Sequence, residues 1–418
     1  MKYLKLFEEI LNEKIPIPVD VKQLSQIFTD NGYELFIVGG AVRDFITGAE
    51  PHDYDLVTNA QPQVIIRILR DKYRLGLQGR HFAVIRVYTE ETPEGIEIAS
   101  YRKDISSGRD NKIDPDNPKV EFGNHITILD DIKRRDFTQN TLYYDINKEK
   151  IIDNVGGIED IKNGIIRAVG NPRNRFKEDR LRILRCFRFA ARSKFKIDKD
   201  TAIAIKSDNR LNGISEADDV SQERIIDEFY GSIDKPGMLM WAIKNKDMES
   251  WLMYLNLLKD YKMFVRMFPD VHINTKFLKT FDVAIIFTQL FSDNAPTNEF
   301  HDKLVQDFKL SNRIANHVIL LLKLLSILND ENIDKTFDPN NRIYSISSLF
   351  SKKREYDIND DIIIEFGKLL GIKEKYINAF VNYETTTNAK ELMDAGISGR
   401  QIGDEIRRIE CEKFKNMI

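Results

Sequence analysis

A change of period between residues 150 and 160 constrains this chain more than any other feature. Before it, short runs rich in β-branched and aromatic residues alternate with helical patterns. "YELFIVGG", "HFAVIRVY" and "GIEIASY" read as strands, and "QPQVIIRILRDKY" as a helix opened by Gln-Pro. From about residue 160 the strand signals stop and a 3.6-residue period runs to the end, as in "EDRLRILRCFRFAARS" and "RIANHVILLLKLLSIL". No internal repeat is visible. These patterns predict an α/β head followed by a long helical body. At 418 residues the chain has length for several domains.

Composition narrows the functional classes. Hydrophobic residues at 42% and charged residues at 31% are those of a globular protein, and a net charge of −3 confines any nucleic-acid surface to a local patch. Cys186 and Cys411, the only cysteines, exclude a disulfide framework and a Cys-based zinc site. "MKYLKLFEEILNEK" spaces Leu4, Phe7, Ile10 and Leu11 as a helix face and carries acids where a signal peptide needs an apolar run. The most apolar stretch, "HVILLLKLLSIL" (317–328), is too short to span a bilayer and contains Lys323. A cytoplasmic location without membrane attachment is expected.

Chemistry concentrates in four stretches. In "LFIVGGAVRDFITGAEPHDYDLVTNA" (35–60) a strand runs into Gly39-Gly40 and then a helix beginning near Ala41. The third glycine of a dinucleotide fingerprint and the Gly-Lys-Ser/Thr of a Walker loop are both missing. Backbone N–H groups at such a turn can cradle a phosphate, with Arg43 one turn on adding a guanidinium; a tight turn needing small residues is the alternative. Asp53 and Asp55, two apart in a predicted strand "DYDLVT", point to one side. Like charges so placed invite a cation, and oxygen-only ligation favours Mg²⁺. A third carboxylate on a neighbouring strand would complete a phosphoryl-transfer site; Glu97 is the best placed, with Glu94 as alternative.

"KRRDFTQNTLYYD" (133–145) gathers Arg134, Arg135 and Asp136 before a short helix, which suits a triphosphate and a ribose hydroxyl, or a charged helix start. From Lys162 to Lys196 there are twelve Lys/Arg against two acids, a net of +10 that suggests a phosphate-facing surface. Within it Asp179, Arg182, Arg185 and Arg188 recur every third residue, as neighbours on one helix would. An Asp beside an Arg can accept from an exocyclic amino group and donate to the adjacent ring nitrogen, the pattern of cytosine and adenine but not of uracil or guanine. An intrahelical ion pair is the plainer reading of these residues.

Taken together and in order, these motifs resemble the class II nucleotidyltransferases of the DNA polymerase β superfamily, which comprise CCA-adding enzymes and bacterial-type poly(A) polymerases. "GGAVRDFITGAEPHDYDLVT" is similar to their catalytic signature, "RRDFTQNTLYY", "DNVGGIEDI" and "RFKEDRLRILRCFRFAAR" to the next three motifs, and "VSQERIIDEF" (220–229) to the last. The resemblance implies an α+β protein: a polymerase β-like head with a mixed sheet (1–150), a helical neck recognising the base (151–235), and a helical body and tail for RNA (236–418), in a seahorse shape. It implies Asp53 and Asp55 as Mg²⁺ ligands; Glu97 stays the candidate for a third catalytic carboxylate on its pattern alone. Gly39, Gly40, Arg43 and Arg135 would contact phosphates and nucleotide, Asp136 the ribose, and Asp179 with Arg182 the base of CTP or ATP. Arg185 and Arg188 would be further nucleotide contacts, and Glu223, Arg224 and Glu228 would hold the template helix. The reaction implied is attack of an RNA 3′-OH on the α-phosphate with loss of pyrophosphate, assisted by two metal ions.

"NTLYYD" and "AVGNPRNRF" lie near the poly(A) polymerase forms, whereas "VSQERIIDEF" and Arg180 in "EDRLRILR" lie nearer CCA-adding enzymes. CCA addition to the tRNA 3′ end from CTP and ATP, without an obligatory protein partner, is therefore the expectation. Poly(A) synthesis from ATP, or a catalytically silent RNA-binding relative, are the alternatives. A flexible head loop is assigned to residues 102–118. His301-Asp302 in "EFHDKLV" reads as a helix-surface pair rather than part of a phosphohydrolase site.

Overall fold

The computed structural model describes residues 14–51, 53–78, 84–105, 119–123, 125–207, 220–231 and 236–418. The amino-terminal helix pattern and most of the loop assigned to 102–118 lie outside these residues. The chain divides into two compact units, Met1–Phe229 and Tyr230–Ile418.

The first unit opens with α1 (Val19–Asp30), β1 (Leu35–Val38), α2 (Gly40–Ile46), β2 (Leu56–Thr58) and α3 (Pro62–Leu69). The proline of Gln-Pro stands at the first turn of α3, where its missing N–H costs nothing. Strands β3 (Arg74–Gln78), β4 (Val84–Tyr88) and β5 (Ile96–Ser100) follow, then a two-stranded ribbon of β6 (Lys103–Ile105) and β7 (Lys119–Glu121). Helix α4 (Ile128–Arg134), a 3₁₀ turn (Thr138–Asn140), β8 (Tyr143–Asp145) and β9 (Lys150–Ile152) complete the head.

Seven strands form one mixed sheet in the order β3-β4-β5-β2-β1-β8-β9. Only β2 and β5 run parallel, with Leu56 opposite Ile98. Alternation sorts the two faces. Leu35, Ile37, Leu56, Ile85, Val87, Ile96 and Ile98 bury one face against α1, α2 and α3. Phe36, Val38, Val57 and Tyr143 bury the other with Tyr101, Ile126 and Ile132. Because Ile96 and Ile98 take the first face, Glu97 emerges on the second.

Beyond the sheet come α5 (Gly157–Lys162), β10 (Ile165–Ile166), α6 (Pro172–Glu178), α7 (Leu181–Ser193), β11 (Lys196–Ile197), α8 (Lys199–Lys206) and α9 (Gln222–Phe229). The expectation that strands end near residue 160 is corrected here: β10 and β11 pair in parallel, Ile165 with Lys196 and Ile166 with Ile197. Two residues per strand are too few for any periodic signal.

The second unit contains only helical elements among its described residues. Its core gathers Leu320, Leu321 and Leu324 from the helix Asn312–Ile327 with Phe366, Phe380, Tyr383 and Phe414 from later helices. The apolar 317–328 stretch is thus a core helix. Among the described residues no helix is long and apolar enough to cross a membrane. His301 lies on the helix Asn298–Gln306 beside Asp302, and His317 is buried with its Nε2 2.8 Å from the Tyr356 carbonyl. Neither belongs to a cluster of three His, Cys, Asp or Glu able to hold a metal; the described residues contain none.

Candidate active site in the first unit

Gly39 joins β1 to α2 at φ 75° and ψ −116°, a conformation open to glycine but strained for other residues. Its N–H donates to the Leu142 carbonyl at 3.1 Å. One turn on, Arg43 donates through Nη1 to the Asn140 Oδ1 at 2.9 Å and through Nε and Nη2 to the Asp44 Oδ1 at 2.9 and 2.7 Å. The guanidinium is thereby fixed between α2 and the 3₁₀ turn.

The regular strand starts at Leu56, so Asp53 and Asp55 stand before β2 and not within it. The Asp55 carbonyl still accepts from the Val38 N–H at 2.9 Å, which anchors it to β1. The register of β2 with β5 sets Asp55 level with Glu97, on the same face of the sheet. The Asp55 side chain reaches solvent, yet the protein packed about it withholds hydration. That desolvation, with the nearby Glu97 and Asp53 carboxylates, pushes its carboxyl up to about 6. The donor chemistry fits a divalent cation: Asp53 and Asp55 offer oxygen ligands only, which suits a hard ion. Glu97 is not free to complete a triad in this state: it is ion-paired with Arg86, its cross-strand partner on β4.

Arg135 and Asp136 follow the end of α4. Arg135 donates through Nε to the Tyr143 hydroxyl at 2.8 Å and to the Asp131 Oδ2 at 3.0 Å, with its guanidinium carbon 5.1 Å from the Tyr143 ring centre. Asp136 accepts at Oδ1 from Asn140 Nδ2 (3.0 Å) and at Oδ2 from Arg185 Nε (2.9 Å) and Nη2 (2.7 Å). Against burial, which alone would raise it, Arg185 and Asn140 hold the Asp136 carboxyl down at about 2.

Asp179 is not on the helix that carries Arg182, Arg185 and Arg188. It terminates α6 in an extended conformation (φ −151°, ψ 109°), and α7 starts at Leu181. Its carboxylate accepts from Arg224 Nη2 at 3.1 Å and from the Leu181 N–H at 3.0 Å. Arg182, buried, donates instead to the Glu178 Oε2 (2.8 Å) and to the carbonyls of Arg175 (3.0 Å) and Arg134 (2.9 Å). The expected Asp179–Arg182 pair is therefore not joined in this state; each member is held by another partner. Arg188 donates through Nε to the Glu228 Oε2 at 2.6 Å, and Arg185 reaches the same carboxylate at 3.4 Å.

The basic run 162–196 does not form one phosphate-facing surface. Lys162, Arg173, Lys177, Lys194 and Lys196 are exposed, Arg175 and Arg182 are buried, and Arg167, Arg180, Arg185, Arg188 and Arg192 are half-buried. Arginine turns inward because its planar fork can satisfy several acceptors at once; lysine does not. Asn140, Tyr143, Asp131, Glu178 and Phe189 were not singled out from sequence. Phe189 sits among Arg43, Arg185 and Arg188, whose guanidinium carbons lie 5.6, 5.4 and 4.8 Å from its ring centre. An aromatic one residue after Arg188 was the available signal.

A glycine turn feeding a helix, a carboxylate pair before the adjacent strand and arginines converging from α2, α4 and α7 define a nucleotidyltransferase head. Residues 35–167 match the family described as the Poly A polymerase head domain. A CCA-adding enzyme of Ligilactobacillus salivarius is 31% identical over 93% of this chain and 90% of its own length. Poly(A) polymerase I of Escherichia coli is 38% identical, but over 41% of this chain and 37% of its own. In structure, the CCA-adding enzyme of Bacillus stearothermophilus in complex with CTP aligns over 96% of this chain and 94% of that one, with a TM-score of 0.57 and 20% identity, a likeness of fold. The chain belongs to the CCA-adding enzyme family.

Proposed function

We propose that this protein adds CCA to tRNA 3′ ends, using CTP and ATP and releasing pyrophosphate, with Mg²⁺ held by Asp53 and Asp55. The observation that carries the reading is Asp55: a carboxylate level with Glu97 on β5 and two residues from Asp53, just before the strand that follows the glycine-turn helix, in a family member aligned along nearly its whole length. A divalent cation there would stabilise the attacking 3′ oxygen and the developing charge on the α-phosphate. Arg43 and Arg135 are set to bind phosphate oxygens, and Asp136 to accept from the ribose. Asp179 and Arg182 would read the base once a nucleotide draws them from Arg224 and Glu178. On this reading residues 151–235 are a base-recognising neck, and the helices beyond hold RNA. The enzyme would act in the cytoplasm.

Poly(A) synthesis stands as the second reading because poly(A) polymerase I is 38% identical over 41% of this chain, against 31% over 93% for the CCA-adding enzyme. A tRNA lacking CCA, incubated with single nucleotides, separates them. CTP alone should give two additions and stop, and ATP should then add one. A long ladder from ATP alone would overturn CCA addition, and no incorporation from any mixture would leave an RNA-binding relative.

A further inference from the structure

Asp131 is wholly buried on α4, without being part of the carboxylate pair or of the base-reading residues. Its Oδ1 accepts from Arg134 Nε at 2.8 Å. Its Oδ2 accepts from Arg135 Nε at 3.0 Å and from the Tyr143 hydroxyl at 2.6 Å. That hydroxyl in turn accepts from Arg135 Nε at 2.8 Å, so Tyr143 closes a ring with the two charged partners. The Arg134 carbonyl then accepts from Arg182 Nη2 at 2.9 Å. One buried carboxylate thus sets two consecutive arginines. The side chain of the second is the one given a phosphate-binding role above, and the backbone of the first seats the arginine on α7.

We propose that Asp131 is a positioning residue that fixes Arg135 at the phosphate end of the site and, through the Arg134 carbonyl, Arg182 at the base end. Grip on the triphosphate and choice of base are thereby tied to one carboxylate. The inference rests on the roles given above to Arg135 and Arg182. An apolar residue at 131 would fill the space, but it would leave two half-buried guanidinium groups without a counter-charge. An amide at 131 could accept at one oxygen only, and its NH₂ would face an arginine.

The test is equilibrium binding of CTP, ATP, UTP and GTP, each alone, to the full chain and to two variants, with melting curves alongside. Asp131→Asn should weaken CTP and ATP about tenfold and shrink their advantage over UTP and GTP by a similar factor, as loss of hydrogen bonds to charged groups entails. Tyr143→Phe keeps the ring and removes only the hydroxyl; it should move both quantities the same way by about threefold. A folded Asp131→Asn with unchanged affinities and unchanged preference overturns the proposal, even if it melts earlier. Where Asp131→Asn does not fold, unchanged affinities in Tyr143→Phe overturn it. An unmodified chain that prefers CTP and ATP but extends no tRNA refutes the transfer reading and leaves this inference standing. An unmodified chain without that preference refutes both.

Discussion

Arg185 grips Asp136 across 49 residues of sequence, with Nε at 2.9 Å and Nη2 at 2.7 Å from the same oxygen, Oδ2. The contact joins α7 to the segment after α4, so it ties the arginine-bearing helix to the head. Arg185→Leu should lower stability by about 1–2 kcal/mol, below the cost of breaking a fully buried pair because Arg185 keeps a third of its side chain in water. Urea unfolding measures this, and an unchanged midpoint would show that the pair carries no net stability.

Asp55 gives the protein a pH dependence of definite sign. Its folded-state pKa of about 6 exceeds the ordinary 3.8, so the folded chain binds the proton more tightly. Its stabilising contribution is full below 3.8 and lost as pH rises through about 6. Without divalent cations the melting temperature should therefore fall across that window, and Asp55→Asn should flatten the fall. Saturating Mg²⁺ should oppose it, since the metal takes the ionised form. A cation-free profile identical in Asp55→Asn would refute the shift. The same variant should extend RNA about 100- to 1000-fold more slowly, by the magnitude usual for losing a charge-stabilising group.

Arg182 is held by three acceptors, of which Glu178 alone is charged. Arg182→Ala should relax the choice of C and A over U and G by about 10- to 100-fold, as loss of a bidentate base contact does. Glu178→Gln leaves the two carbonyl contacts and should relax it by about threefold. Competition between CTP and UTP in single-turnover extension reads both. Faithful addition by Arg182→Ala would remove that residue from base reading.

Gly157 packs against the 3₁₀ turn so closely that an added Cβ would lie 2.4 Å from the Thr138 carbonyl oxygen. Backbone cannot swing aside as a side-chain tip does. Gly157→Ala should cost about 2–3 kcal/mol and disturb Asn140, two residues from the clash. At Gly156, where no atom stands within 4 Å but φ is +81°, alanine should cost about 1 kcal/mol. Denaturation of the two variants side by side should preserve that order.

What could be read in advance divides by the range of the interaction. The glycine turn, the carboxylate pair and the carboxylate on β5 are encoded in short patterns, and Asp55, just before β2, does stand level with Glu97 on β5. The break at Asp179 was not visible, because "KEDRLRILR" contains neither glycine nor proline and its apolar spacing suits an unbroken helix. What breaks it includes Arg224, 45 residues away, holding the Asp179 carboxylate outside α7. Asp131 carried a local signal in Arg134 and Arg135, three and four residues on, but that spacing is usually a solvated pair. Only the fold reveals that it is buried.

The central place of β1 bears on how the head can be assembled at all. β1 lies between β2 and β8, and Phe36 pairs with Asp145. A nascent chain that has emerged only as far as β5 already holds the glycine turn and its carboxylates, but one edge of β1 is bare, with four buried-type residues, "LFIV", on that strand. The head can close only after β8 has been made, so a stalled or truncated product would be the sticky species, and completion would depend on a late, long-range pairing.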